Sequence, residues 1–218
     1  MNQITRLTTN DLNRATIITD SWIISENLKR KHDSITKAIK RYEKDIAEFG
    51  EVRLTVEQVE KTRSRSIYEL NEGQATFLMT LMNNSEKVIE FKKKLVKSFL
   101  FMKQELTTRG NTRHIGVSIR KDMTKAICEN IPEGNFKNFA ISNYTGLVYK
   151  KVLGTTLKKW KQTNNIPKGE KNRNFLTTEQ LEQVQYYESK IADIIEVSSE
   201  LVNEKELYQK IKAFIQKE

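Results

Sequence analysis

Residues 21–50, SWIISENLKRKHDSITKAIKRYEKDIAEFG, decide the fold together with the segment that follows them to residue 70. Ser21 is placed to cap a short helix, and the polar turn KRKH at 29–32 separates this helix from a longer one predicted over residues 33–49. The longer helix has an apolar stripe at helical spacing, formed by Ile35, Ile39, Tyr42 and Ile46. Gly50 supplies its stop.

Residues 51–70 predict a β-hairpin. Val52, Leu54 and Val56 alternate with polar residues, and the return strand contains Ile67 and Tyr68. The tip is basic and holds Lys61, Arg63 and Arg65. A short helix, a turn, a longer basic helix and a basic hairpin, in this order, are typical of a winged helix-turn-helix.

The flanks of this stretch extend the first domain. Residues 4–18 predict a two-stranded lead-in, Asn71 can cap a helix through residue 82, and Ser85 begins a long helix to about Leu106. The long helix carries apolar residues on more than one side. Two explanations stay open: self-association as a homodimer, or two contacts inside one protomer.

The second half predicts helices only. Residues 107–118 contain two glycines and little apolar material, which indicates a linker. Thr177 with Gln180, and Asn203 with Glu206, have the form of capping boxes that open the last two helices. We therefore expect a mainly α protein with a small β component: a winged helix-turn-helix domain with a long helix (1–106), a linker (107–118) and an all-α C-terminal module (119–218).

The net charge of +10 is unevenly distributed. Residues 109–180 hold 14 basic and 5 acidic residues (+9), whereas residues 1–108 hold 19 and 15 (+4). Such an excess attracts polyanions, of which nucleic acid is the commonest in the cytosol. No run approaches the ~20 apolar residues of a membrane span, and no secretory signal is recognisable. We expect a cytoplasmic, nucleoid-associated protein of a bacterial host cell, without membrane contact.

Groups that carry catalysis are scarce. His32 and His114 are the only histidines, neither has a metal-ligand spacing, and no phosphate-binding glycine motif occurs. Cys128 is the single cysteine, which excludes an internal disulfide, and we expect it to be a small buried residue. We expect a binding protein and not an enzyme, with no cofactor and no metal.

The second helix and the hairpin tip supply the candidate DNA contacts. In a helix-turn-helix the N-terminal part of the second helix enters the major groove. The lysines suit phosphates, while His32, Ser34 and Thr36 are better placed for base edges. The candidates are Lys31, His32, Ser34, Thr36, Lys37, Lys40, Arg41, Lys61, Arg63 and Arg65. By itself such a helix face is more often merely solvated; the basic hairpin favours DNA.

A second basic patch lies in the C-terminal half and is interleaved with Tyr144, Tyr149 and Trp160. We expect the apolar side chains of this region, Trp160 included, to be buried and the cations to form a rim for phosphates or for a protein partner. The patch consists of Lys150, Lys151, Lys158, Lys159, Lys161 and Arg173.

Several motifs resemble the Rha family of phage regulatory proteins over residues 15–106. They are KHDSITKAI (31–39) at the start of the second helix, IYELNEG (67–73) with TFL (76–78), and FKKKLVKSF (91–99). The family shows a K-x-H-D-type turn, a Y-x-L-T-x-x-G step and an F-K-x-x-(Y/F)-I-x-x-F helix. Asn71 replaces the usual Thr, and Leu95 and Val96 replace the aromatic-Ile pair.

The second half resembles the C-terminal module of phage antirepressor-type proteins, through YTGLVYK (144–150) and RNFLT (173–177). Both resemblances imply a phage or prophage regulator. We expect it to bind double-stranded DNA and modulate transcription. The alternative is an antirepressor that binds a repressor or another regulatory protein.

Overall fold

The computed structural model describes residues 4–60, 63–198 and 203–217. Two compact units are distinguished, Met1–Leu106 (unit 1) and Thr107–Glu218 (unit 2). The described part is mainly helical with one small antiparallel sheet near its start, and unit 2 contains helices only, as the sequence predicts.

Unit 1 is built around a four-stranded antiparallel sheet. The sheet has the order β1-β2-β4-β3, with β1 at Arg6–Leu7, β2 at Ile17–Asp20, β3 at Arg53–Glu60 and β4 at Arg63–Asn71. The hairpin β3–β4 pairs Leu54 with Tyr68 and Thr55 with Ile67. The predicted lead-in strands and the predicted hairpin are therefore confirmed.

Three short helices lie between β2 and β3. They are α1 (Ser21–Leu28), α2 (His32–Arg41) and α3 (Glu43–Ala47). The residue that caps α1 is Asp20, whose carboxylate accepts the N–H of Ile23 at 2.8 Å, and not Ser21 as predicted. The single helix predicted over 33–49 is also interrupted, because Tyr42 leaves the helical conformation (φ −110°, ψ 25°).

The core of unit 1 joins these helices to the sheet and to two further helices, α4 (Glu72–Thr80) and α5 (Glu86–Asn130). Asn71 caps α4 as predicted, and together with Gln74 it forms a complete capping box. On α5, Val88, Phe91 and Leu95 are buried in this core. The opposite side of α5 is exposed at Ile89, Val96 and Leu100.

Residues 107–118 lie inside α5, so the linker predicted there is instead helical. Gly110 and Gly116 each weaken a helix by about 1 kcal/mol relative to Ala, yet neither interrupts it. A Cβ atom on Gly116 would lie 2.8 Å from Nε2 of Gln185. The glycine thus permits the close approach of Gln185.

Unit 2 continues with α6 (Asn135–Leu153), α7 (Leu157–Thr163), a 3₁₀ turn (Asn172–Phe175), α8 (Thr178–Ser198) and α9 (Glu204–Lys217). The predicted capping box is present: Thr177 Oγ1 accepts the N–H of Gln180, and the Gln180 side chain accepts the N–H of Thr177. The core centres on Tyr144 and Val148 of α6. Cys128 is exposed, so its predicted burial is wrong.

Candidate nucleic-acid interface

The turn between α1 and α2 is fixed by backbone geometry. Lys29 adopts the left-handed conformation (φ 51°, ψ 39°), and its N–H donates to the carbonyls of Glu26 and Ser25. This conformation ends α1, and α2 begins three residues later at His32. Arg30 and Lys31 follow, and both side chains are exposed. The predicted turn is therefore short and basic, and its backbone is hydrogen-bonded to the end of α1.

Helix α2 has one apolar and one basic side. Ile35 and Ile39 are buried at 1% and 0% exposure and attach the helix to the core of unit 1. Lys37 pairs with Asp33 at 2.7 Å one turn earlier. The exposed candidates from this region are Lys31, Ser34, Lys37, Lys40 and Arg41. These five side chains lie together at the surface of one helix and the turn that precedes it.

Ser21 joins α1, α2 and the hairpin. Its side chain is fully buried, and its Oγ accepts the N–H of Tyr68 at 3.0 Å. The same Oγ lies 2.8 Å from Nε2 of His32, the first residue of α2. In the neutral tautomer that carries its proton on Nδ1, His32 accepts the hydroxyl proton of Ser21, and the Ser21 hydroxyl then acts as a donor and an acceptor at once.

Trp22 extends this connection. Its ring lies 5.2 Å from the His32 ring, and the Arg65 guanidinium stacks on its face with Cζ 3.6 Å from the centroid. Arg65 in turn donates to Glu57 at 2.8 Å across the hairpin. We call Ser21, Trp22, His32, Glu57 and Arg65 the Trp22 cluster. It links α1, α2, β3 and β4 through side chains.

The Trp22 cluster changes the roles of two candidates. His32 was expected at base edges, but its ring faces Ser21 and Trp22. Burial and then the charge of Arg65 lower the pKa of His32, while Asp20 and Asp33 act in the opposite direction. Arg65 was expected to contact DNA, but its guanidinium is held between Trp22 and Glu57. Both side chains therefore position α2 relative to the hairpin.

Three other predicted DNA contacts are Thr36, Lys61 and Arg63. Thr36 turns its hydroxyl back to the carbonyl of Asp33 at 3.0 Å, so its donor is already used within α2. Lys61 lies outside the described residues, and so does the side chain of Arg63. Ser21 and Trp22 were not predicted as part of the site. The available signal was a tryptophan next to a helix start, together with arginines in the hairpin that follows.

The second basic patch separates into two groups. Lys150, Lys158 and Lys159 are exposed, whereas Lys151 and Lys161 are half-buried. Trp160, expected to be buried, is only partly so. Arg173 does not belong to the patch, because its side chain is 12% exposed and forms an ion pair with the fully buried Glu188. The patch therefore consists of lysines on α6 and α7.

Glu188 organises a polar network in unit 2. Its Oε1 accepts from both Arg120, at 2.9 Å, and Arg173. Arg173 also donates to the carbonyl of Gly116 at 2.9 Å and is hydrogen-bonded to Tyr149. A buried carboxylate needs such partners to offset the loss of its hydration. These arginines consequently act inside the fold of unit 2.

Among residues 4–60, 63–198 and 203–217, no three His, Cys, Asp or Glu side chains lie close enough to hold a metal ion. Within the described helices, none has the length and apolar character needed to cross a bilayer.

Comparison with known families concerns unit 1. Residues 19–104 match the family model described as phage regulatory protein Rha, which agrees with the resemblance seen in the sequence motifs. A search of curated proteins found no match. The resemblance of the C-terminal module to antirepressor-type proteins lies outside the matched residues and stays a prediction. Residues 19–104, which are less than half of the chain, are thus similar to the phage regulatory protein Rha family.

Proposed function

We propose that the chain binds double-stranded DNA through unit 1, as a winged helix-turn-helix, and thereby modulates transcription of phage or host genes. The observation that carries the proposal is the division of α2 into a buried apolar side and an exposed basic side. Ile35 and Ile39 hold the helix in place, while Lys37, Lys40 and Arg41 are presented to solvent. Exposed cations on a helix that follows a tight turn suit a phosphate backbone.

The Trp22 cluster supports the proposal in a second way. Its contacts fix the first residue of α2 to β4 through Ser21 and the hairpin to α1 through Arg65. A recognition helix held before binding loses less conformational entropy when it docks. The proposed contacts are Lys31, Ser34, Lys37, Lys40 and Arg41, with Lys61 and Arg63 at the hairpin. His32 and Arg65 are positioning residues.

A salt titration tests the proposal. Fluorescence anisotropy of a labelled duplex gives the association constant, and its logarithm should fall steeply with the logarithm of salt concentration. The triple variant Lys37→Ala, Lys40→Ala, Arg41→Ala should make the slope shallower by up to about 2.7, since each phosphate contact contributes about 0.9. A wild-type slope near zero would contradict DNA binding.

The matched control removes the same charge elsewhere. Lys87, Lys93 and Lys97 are exposed on α5, and their triple change to Ala also lowers the net charge by three. This control should leave the slope nearly unchanged. If both triple variants alter the slope equally, the basic side of α2 is not the contact surface and only the overall charge matters.

The rival function is that of an antirepressor that binds a repressor protein. The exposed apolar side of α5 favours it, because Ile89, Val96, Leu100 and Phe101 are 40–65% exposed, and such patches often contact proteins. Immunoprecipitation from phage-carrying cells, with sequencing of bound DNA and identification of bound proteins, compares the two. Recovery of a repressor without specific DNA would support the rival.

A further inference from the structure

Strand β3 is a free edge of the unit 1 sheet. Among the strands of the described residues, β3 pairs with β4 on one side only, since the order is β1-β2-β4-β3. Regular pairing runs from Arg53 to Gln58, and a register irregularity follows between Gln58 and Glu60. The backbone N–H and C=O groups that point away from β4 are consequently available to another strand.

This edge is open to solvent on both faces of the sheet. Each residue from 53 to 58 is exposed. Leu54 and Val56, which share one face, are 53% and 67% exposed. Natural sheets usually protect a long edge strand with lysine, proline or a covering segment. An exposed edge with two neighbouring apolar side chains is therefore a surface that a further β-strand would cover.

The sequence of β3 is complementary to itself in one antiparallel register. Directly opposed residues in an antiparallel pair point to the same side of the sheet. A twofold axis that relates two copies of β3 must therefore lie where one residue meets its own equivalent, and not midway between two successive residues. An axis at Thr55 places Arg53 opposite Glu57 and Leu54 opposite Val56, while Thr55 meets its own equivalent. Opposite charges, apolar pairs and threonine pairs are each favourable across strands.

The neighbouring registers are worse. An axis at Leu54 places Glu57 opposite Glu51, which is repulsive, and an axis at Glu57 places that carboxylate opposite itself. An axis at Val56 leaves Leu54 opposite the polar Gln58. Glu57 can also contact Arg53 of the second copy, because its Oε2 alone accepts both hydrogen bonds from Arg65 and its side chain is 53% exposed.

We propose that β3 is a homodimerisation surface, on which β3 of a second copy of this chain pairs antiparallel about an axis at Thr55. Two features carry the proposal: the exposed edge and the charge complementarity of Arg53 with Glu57. The pairing joins the two sheets into one and buries Leu54 and Val56 of both copies. It concerns assembly and does not depend on whether α2 binds DNA.

Sedimentation equilibrium of the full chain over the micromolar range tests the proposal. The wild type should show a reversible monomer–dimer equilibrium. Arg53→Glu places carboxylates opposite Glu57 of the second copy at two symmetric points and should raise the dissociation constant at least about tenfold. Glu57→Arg should have a similar effect by opposing Arg53. Lys87→Glu, at an exposed site on α5, is the matched charge reversal and should leave the dimer intact.

Mixing the two variants makes the test specific. In a heterodimer of Arg53→Glu with Glu57→Arg, every opposed charge pair is again opposite in sign, so equal amounts should restore dimers that neither variant forms alone. Circular dichroism of each variant, with Trp22 fluorescence measured in a Trp160→Phe background, establishes that unit 1 is folded. A wild type that stays monomeric, a dimer unaffected by Arg53→Glu, or a mixture of folded variants that stays monomeric would each overturn the proposal.

Discussion

Replacing Ser21 with Ala should destabilise unit 1 by about 1–4 kcal/mol. The serine side chain is fully buried, and its Oγ is the acceptor for the N–H of Tyr68. Without Oγ that N–H stays buried and unpaired, which costs about 1–3 kcal/mol. The bond to His32 is also lost, but His32 is half-exposed and water can replace it, so this loss adds less than about 1 kcal/mol.

Tryptophan fluorescence can measure this change in unit 1 alone. The chain has two tryptophans, Trp22 in unit 1 and Trp160 in unit 2. In a Trp160→Phe background, urea denaturation followed by fluorescence reports the unfolding around Trp22. Ser66→Ala is the matched control, because Ser66 is exposed on β4 and its substitution should stay within about 0.5 kcal/mol of wild type.

A loss below about 0.5 kcal/mol for Ser21→Ala would refute the reasoning, since the buried N–H of Tyr68 would then have another partner. A second readout separates local from global effects. Hydrogen exchange of the Tyr68 amide should be faster in the variant, whereas exchange in the core of unit 2 should not change. Equal acceleration in both units would show that Ser21 does not act through Tyr68.

Three further predictions concern single side chains. The pKa of His32 in the folded chain is lowered from 6.5, so the unfolded chain binds the proton more readily. Unit 1 should therefore lose stability as the pH falls below 6.5. Urea denaturation of His32→Gln should show a weaker pH dependence. Lys29→Gly should stabilise unit 1 by about 0.5–1 kcal/mol in the same assay, since glycine adopts the left-handed conformation without strain, and Lys29→Val should destabilise it. Glu188→Ala should cost unit 2 about 3–5 kcal/mol by Trp160 fluorescence, because Arg120 and Arg173 lose their buried partner; a change below 1 kcal/mol would contradict this.

Local signals in the sequence predicted much of the fold. Asn71 and Gln74, like Thr177 and Gln180, occur at the spacing of a capping box, and both helices begin there. The alternation of Val52, Leu54 and Val56 likewise predicted β3. These features depend on neighbours in the chain, so a single sequence contains the information that determines them.

Other features depend on distant contacts and were not predictable. The stripe of Ile35, Ile39, Tyr42 and Ile46 keeps helical spacing through the break at Tyr42, so periodicity cannot reveal that break. Two glycines suggested a linker at 107–118, but Gln185, far along the chain, occupies the space beside Gly116. The Trp22 cluster unites residues from four elements, and no spacing rule predicts such a contact.

Charge counting was the weakest guide to the site. Residues 109–180 carry the largest basic excess, yet Arg120 and Arg173 are bound to the buried Glu188 inside unit 2. The cations that remain exposed on α6 and α7 are lysines such as Lys150, Lys158 and Lys159. A lysine presents a compact point charge that attracts phosphate without reading sequence. If the chain binds DNA as proposed, unit 2 should therefore contribute salt-dependent affinity, and sequence discrimination should depend on the rigidly held α2 of unit 1.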